Sequence, residues 1–424
     1  MNSFQTTTLG NGLRVICLQS DSQVVYCGYQ IAVGTRHEMP GEEGLAHFVE
    51  HTTFKGTQRR NALQIINALE SVGGELNAYT NKQSTAYYAA LPKMHFMRGV
   101  DLLTDIVFFS TYPEMELEKE KEVIVEEIES YHDSPAELIY DEFENLLFRG
   151  HPLGHNILGT AERVRSFTTA DAIRFTQRYY RPDHAVFFVY GDVDFKKLVR
   201  KLEKLTAACD RKENCQYEEK QPAVPDRQWD DSLMPWKGMA GEAYVKLGHT
   251  HQAHVMIGTK GYPVDHPDRI ALYLLNNLLG GPGMNARLNL SLRERNGLVY
   301  TVESTMTAYP DTGAWGIYFG CDHDDVRKCV RLVHRELEKL RRKTLSERQL
   351  AMAKTQIKGQ IAIACDNKEN FALDFGKTFL HYGRERDIDR LYRQIDQVTV
   401  EQLQRVANDL FQEDDLTSLL FTTK

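Results

Sequence analysis

No apolar run in the 424 residues is long enough to cross a bilayer. The opening segment, Met1-Asn2-Ser3-Phe4-Gln5-Thr6, lacks the basic start and apolar core of a signal peptide, and none is expected. Cysteine is scarce and odd in number: Cys17, Cys27, Cys209, Cys215, Cys321, Cys329 and Cys365, with no C-x-x-C pair. That leaves no disulfide framework to read and predicts reduced thiols, acting as small buried hydrophobes, in a cytoplasm. Basic residues are outnumbered, 51 Lys and Arg against 59 Asp and Glu, and form no patch or stripe, so nucleic acid is not an expected partner. What remains is globular: 42% hydrophobic and 26% charged, in a chain long enough for two or three domains.

One pentapeptide carries chemistry: His47-Phe48-Val49-Glu50-His51, an H-x-x-E-H run. Histidines at i and i+4 share one face of a helix. Two neutral imidazoles so placed hold a Zn²⁺ at about 2.0–2.1 Å each. Glu50 falls beside the metal rather than on it, where a carboxylate can take a proton from an attacking water. Leu45, Phe48 and Val49 give the helix an apolar stripe, and Glu42 and Glu43 put acids early, where the helix dipole favours them. The same spacing would also suit two surface histidines and a solvated glutamate.

Hydrolytic zinc takes a third protein ligand. The run from Glu118 to Glu129 is rich in glutamate and reads mostly as a charged helix face with i,i+4 pairs. Glu127 stands out because Val123 and Ile124 precede it by one turn and Tyr131 follows by one. An unpaired carboxylate on an apolar side is costly, and a metal would explain it. Glu126 is the neighbouring alternative. Glu120, two turns back on nearly the same face, could reach the site as a supporting carboxylate.

With these pieces the chain resembles the pitrilysin, insulin-degrading enzyme and mitochondrial processing peptidase family, whose H-x-x-E-H is followed by a glutamate in a stretch like Val123-Ile124-Val125-Glu126-Glu127-Ile128. Further stretches are similar: Thr8 to Val15, Gly34-Thr35-Arg36, Phe54-Lys55-Gly56-Thr57, Asn77-Ala78-Tyr79-Thr80 with Thr85 to Tyr88, His151-Pro152-Leu153-Gly154, Ile157-Leu158-Gly159, Leu279-Gly280-Gly281, Arg287-Leu288, and Leu292-Arg293-Glu294 leading to Gly297-Leu298-Val299-Tyr300. The resemblance implies a zinc endopeptidase with His47, His51 and Glu127 as ligands, Glu50 as catalytic base and Glu120 as accessory glutamate. It implies that an extended peptide pairs near Asn77 and Ala78, and that Tyr300 and Arg293 contact substrate, Tyr300 at the developing oxyanion. From residues alone, Arg293 would be solvated beside the core face of Leu288 and Leu292, and Tyr300 would simply pack. It further implies an enclosed chamber for unfolded peptides, and a homodimer with composite sites or a heterodimer with a related chain. The alternative is a non-catalytic or partner-dependent subunit of the same fold. Two departures stand out: Gln83 replaces a frequent acid, which bears on subsite preference, and the loop Gly280-Gly281-Pro282-Gly283 is shorter than that of the non-catalytic processing-peptidase subunit.

The organisation predicts α+β architecture by internal duplication: two similar halves, each a mostly antiparallel sheet with helices packed on it. Strands are expected at Arg14–Leu18, 26–33, 75–79, 85–91, Ala185–Tyr190 and 416–421. Helices are expected near 43–56, 61–72, 93–109, 114–148 and 169–180, and after Thr399. The run Val255 to Lys260 echoes Ile31 to Arg36, each a strand running into Gly-Thr and a basic residue. A polar linker with Pro222, Pro225 and Pro235 at 209–241 would separate a zinc domain, 1–208, from a second domain, 242–424, that carries the Arg/Tyr pair and no H-x-x-E-H. His249 and His251, placed on one face of a strand, read as ordinary histidines.

Overall fold

Alternating and wholly apolar runs become two sheets in the computed structural model, which describes residues 4–209, 242–246 (backbone only), 250–385 and 387–423. Most of the expected linker, 210–241, and His249 lie outside the described residues. The first sheet contains β1 (Phe4–Thr8), β2 (Arg14–Leu18), β3 (Val24–Ile31), β4 (Glu75–Thr80), β5 (Thr85–Pro92) and β6 (Ala185–Tyr190). Their order is β1-β2-β6-β3-β5-β4. The second contains β7 (Glu242–Lys246), β8 (Ala253–Gly261), β9 (Val299–Ala308), β10 (Gly313–Cys321) and β11 (Thr417–Thr422), in the order β7-β11-β8-β10-β9.

Leaving out β1, the two orders superimpose position for position. In each, one pair is parallel (β2 with β6, β7 with β11) and every other pair is antiparallel. The expected duplication and mostly antiparallel sheets are therefore present.

The run Ala-Val-Phe-Phe-Val-Tyr of β6 is apolar throughout because both faces of its sheet are covered. On one face Val25, Cys27, Tyr29, Phe187 and Val189 pack under the helices of the first half. Tyr29 lies edge-on to Phe108 and Phe187 and hydrogen-bonds Thr104 at 2.9 Å. On the other face Ile16, Val186 and Phe188 meet Ala372, Phe375 and Phe379 of the helix Lys368–Tyr382. A wholly buried Phe or Val contributes about 1.5–3 kcal/mol, so this second face adds substantially to the unit.

That covering helix comes from the far end of the sequence. The described residues of Met1–Ser130, Gly150–Glu218 and Ala364–Arg386 form one compact unit, and those of Tyr131–Arg149, Glu219–Ile363 and Asp387–Lys424 form the other. The second unit likewise takes the helix Pro135–Leu147 from the first half and seats it against β8, β10 and β11. Tyr140 of that helix donates to Glu303, and Tyr309 donates to Glu144. The contiguous division into 1–208 and 242–424 does not coincide with these units.

The exchange explains one difference from expectation. The helical stretch at 114–148 is two helices, Glu114–His132 and Pro135–Leu147. Pro135 at the first helical position disfavours helical backbone at Ser134, whose φ of −111° and ψ of 79° lie outside the helical basin. The chain leaves the first unit after Ser130, in the last turn before this break.

Candidate metal centre

The H-x-x-E-H run lies on the helix Leu45–Thr52, followed by a 3-10 turn, Thr53–Lys55, shorter than the helix expected over 43–56. Leu45, Ala46, Phe48 and Val49 are fully or almost fully buried, which fixes the helix in the core. Gly44 precedes it at φ 94°, and an added Cβ would stand 2.8 Å from the Leu158 carbonyl oxygen and from Gly159 Cα. Only glycine meets both demands.

The acid that caps this helix is not Glu42 or Glu43. Glu38 reaches forward, and its carboxylate accepts the amides of Gly44 (3.0 Å) and Ala46 (2.7 Å). His155 holds the same carboxylate at 2.9 Å. Glu42 instead pairs with Arg178 at 3.0 Å, and Glu43 accepts the Gly41 amide. Glu38 is six residues before Gly44, outside any local capping spacing, so no sequence pattern marks it.

His47 and His51 converge on Glu127. His51 Nε2 lies 3.3 Å and His47 Nε2 3.7 Å from Glu127 Oε2. The three ligand atoms all fall within 4.8 Å of one another. Bonds of about 2.0–2.1 Å at tetrahedral angles space ligand atoms roughly 3.3 Å apart, so two imidazoles and a carboxylate fit a zinc ion here. Glu126 is exposed, and Glu127 is the glutamate that joins the group. The reason differs from the one read in the sequence: Ile124 is buried but Val123 is half exposed, and Glu127 sits at the border of the apolar side.

Glu120 takes the supporting place. Its Oε1 meets His51 Nδ1 at 3.1 Å and its Oε2 meets Lys55 Nζ at 2.5 Å. A partner on Nδ1 fixes the imidazole tautomer and leaves Nε2 free to ligate. Burial acts first on Glu120 and raises its pKa, but the hydrogen bonds from His51 and Lys55 prevail and hold it below the ordinary range. For His51, burial is opposed by Glu120 and Glu127, which lift it to about 9. The carboxylates thus call for positive charge, a demand that a divalent cation also answers. His47 is pressed down to about 4 by burial and by His51, so it is a neutral donor at ordinary pH.

Glu50, on the same helix, is buried, and burial raises its pKa against a hydrogen bond with Thr80, the last residue of β4. A carboxylate so raised is a better proton acceptor than a solvated one. Asn77 and Ala78 lie on β4 opposite Tyr88 and Tyr87. β4 is the terminal strand of its sheet, so one of its sides is unpaired within that sheet.

Arg293 and Tyr300 belong to the second unit. Arg293 sits on a short π-helical turn, Asn289–Glu294, and its guanidinium lies 5.3 Å from the centre of the Tyr300 ring. Tyr300 does not pack in the core: it is 78% exposed on β9, the terminal strand of the second sheet. His251 is exposed and precedes β8 rather than lying on it. Among the described residues, His47, His51 and Glu127 form the only cluster spaced for a metal.

Comparisons with known proteins give the family. Residues 14–161 match the description "Insulinase (Peptidase family M16)", and residues 166–357 match "Peptidase M16 inactive domain". A zinc protease of Bacillus subtilis, YmxG, described as uncharacterised, is 32% identical over 97% of each chain. The chain belongs to peptidase family M16. A second such zinc protease, from Streptomyces coelicolor, is 31% identical over 97% of this chain and 88% of its own. The fold is shared with a protease from Helicobacter pylori (TM-score 0.87, 24% identity, 99% of each chain). It is shared also with a Pseudomonas fluorescens structure described as a peptidase M16 inactive domain (TM-score 0.85, 20% identity, 100% of this chain and 98% of that one). No described helix of this family member is long and apolar enough to cross a membrane.

Proposed function

We propose that this M16 protein is a zinc endopeptidase that hydrolyses short or unfolded peptides. The convergence of His47 Nε2, His51 Nε2 and Glu127 Oε2 beside the buried Glu50 carries the reading. Zn²⁺ bound by these three residues would supply a Lewis acid to polarise the scissile carbonyl and make water more acidic. Glu50 accepts the proton of the attacking water at a carboxylate oxygen and delivers it to the amine nitrogen as the C–N bond breaks. Thr80 orients the Glu50 carboxylate, and Glu120 holds His51 by its Nδ1. The substrate extends along the free side of β4 near Asn77 and Ala78, where main-chain hydrogen bonds hold it without reading its sequence.

The match to an inactive domain does not count against catalysis. It falls on residues 166–357, the half without H-x-x-E-H, whereas the complete set lies within the other match at 14–161. Glu50→Gln is expected to bind zinc and peptide yet cleave about 10²–10⁴-fold more slowly. Near-normal cleavage by that variant would refute the assignment.

A further inference from the structure

Glu120 and Glu127 lie seven residues apart on one helix, and both meet His51. By chemistry alone either carboxylate could ligate a cation held by the two histidines. What distinguishes them is Lys55. Its ammonium binds Glu120 Oε2 at 2.5 Å while His51 Nδ1 takes Oε1 at 3.1 Å, so both oxygens of Glu120 are engaged away from Nε2. Among the described residues, the ion pairs of the Glu127 carboxylate are to the two histidine Nε2 atoms and to no lysine or arginine.

Lys55 is itself held in place. It ends the 3-10 turn Thr53–Lys55, four residues beyond His51. Thr53 Oγ1 donates to the Val49 carbonyl at 2.7 Å, Ser110 Oγ donates to the Thr53 carbonyl at 2.8 Å, and the Thr111 amide donates to the Gly56 carbonyl at 3.0 Å. The backbone on both sides of Lys55 is therefore pinned, and an added Cβ at Gly56 would meet Pro113 at 2.9 Å. The lysine's reach toward Glu120 is part of the architecture.

We propose that Lys55 is a positioning residue of the metal centre: by anchoring Glu120 against His51, it assigns Glu127 as the carboxylate ligand and fixes the His51 ring. The inference rests on the zinc-site reading above. The ion pair of Lys55 is with Glu120, which is not one of the three converging residues, and its role runs through that carboxylate. Removing an outer partner of a metal ligand costs about 10–100-fold in affinity, and a partner one step further out belongs near the lower end.

The test measures zinc affinity and release by competition with a chromogenic chelator, on the full chain. Lys55→Met should weaken zinc binding about 10-fold and speed its release, Lys55→Arg should restore most of the affinity, and metal-free thermal unfolding should show that both variants fold. In a Glu120→Gln background, Lys55→Met should cost nothing further, because the interaction partner is already gone. Unchanged affinity in Lys55→Met, or an equal loss in both backgrounds, overturns the positioning role while leaving the zinc site intact. Failure of the wild-type chain to bind zinc at all overturns the zinc site and this inference together.

Discussion

At the residue scale, the candidate ligands on the helix were legible because their chemistry is local. His47, Glu50 and His51 are fixed relative to one another by helix geometry, and the i, i+4 spacing places both imidazoles on one face without knowledge of the fold. Glu127 was legible in a different way. Its pattern suggested an apolar environment, yet Val123 is half exposed, and what selects Glu127 over Glu126 is its approach to two histidine Nε2 atoms 76 and 80 residues away in sequence. The residues that sequence did not reveal act over distance. Glu38 caps from outside the helix, His155 holds Glu38 from 117 residues on, and Thr80 reaches Glu50 from the end of a strand. Glu127→Ala is expected to lose the metal, whereas Glu126→Ala should keep it; elemental analysis of the two purified variants checks this. Full zinc occupancy in Glu127→Ala would move the ligand to another carboxylate.

At the element scale, strands were read better than helix ends. The β4–β5 hairpin forms as expected, with Asn77 opposite Tyr88, because its turn carries its own signal: Asn81 Oδ1 accepts the amides of Gln83 (2.8 Å) and Ser84 (2.9 Å). The helix boundary at Ser134-Pro135 carried a signal as well, but a run of helix-favouring glutamates on one side and Glu137 to Leu147 on the other outweighed a single proline. If substrate adds to β4 through its main chain, a peptide N-methylated at a backbone amide that pairs with the strand should lose up to about tenfold in affinity, as one hydrogen bond is removed. An N-methyl scan by competition measures this. A flat scan would mean that side chains, not the strand edge, hold the substrate.

At the scale of the whole molecule, the duplication was visible in echoed strands and in a second half without the zinc motif. The exchange of the helices Pro135–Leu147 and Lys368–Tyr382 between units was not visible. Each helix is amphipathic in the ordinary way, and no local feature states which sheet it will cover. Assembly is likewise unread by either unit alone. We propose a homodimer whose partner copy supplies Arg293 and Tyr300. Tyr300→Phe should then lower turnover about 10²–10³-fold with zinc retained, as loss of an oxyanion donor does. Mixing it with Glu50→Gln should restore activity to about a quarter of the wild-type level, since half the random dimers carry one intact site. No recovery after subunit exchange would place Tyr300 in the same chain as the site it serves.

The central claim is that His47, His51 and Glu127 hold a catalytic zinc served by Glu50. The most direct measurement pairs zinc content with cleavage of a quenched fluorescent peptide library by the wild-type chain and by Glu50→Gln. One zinc per chain, with cleavage abolished by chelation, recovered on zinc addition and about 10²–10⁴-fold slower in the zinc-loaded variant, is the predicted result. Cleavage that survives complete metal removal, or a zinc-loaded wild-type chain that cleaves nothing, would contradict it.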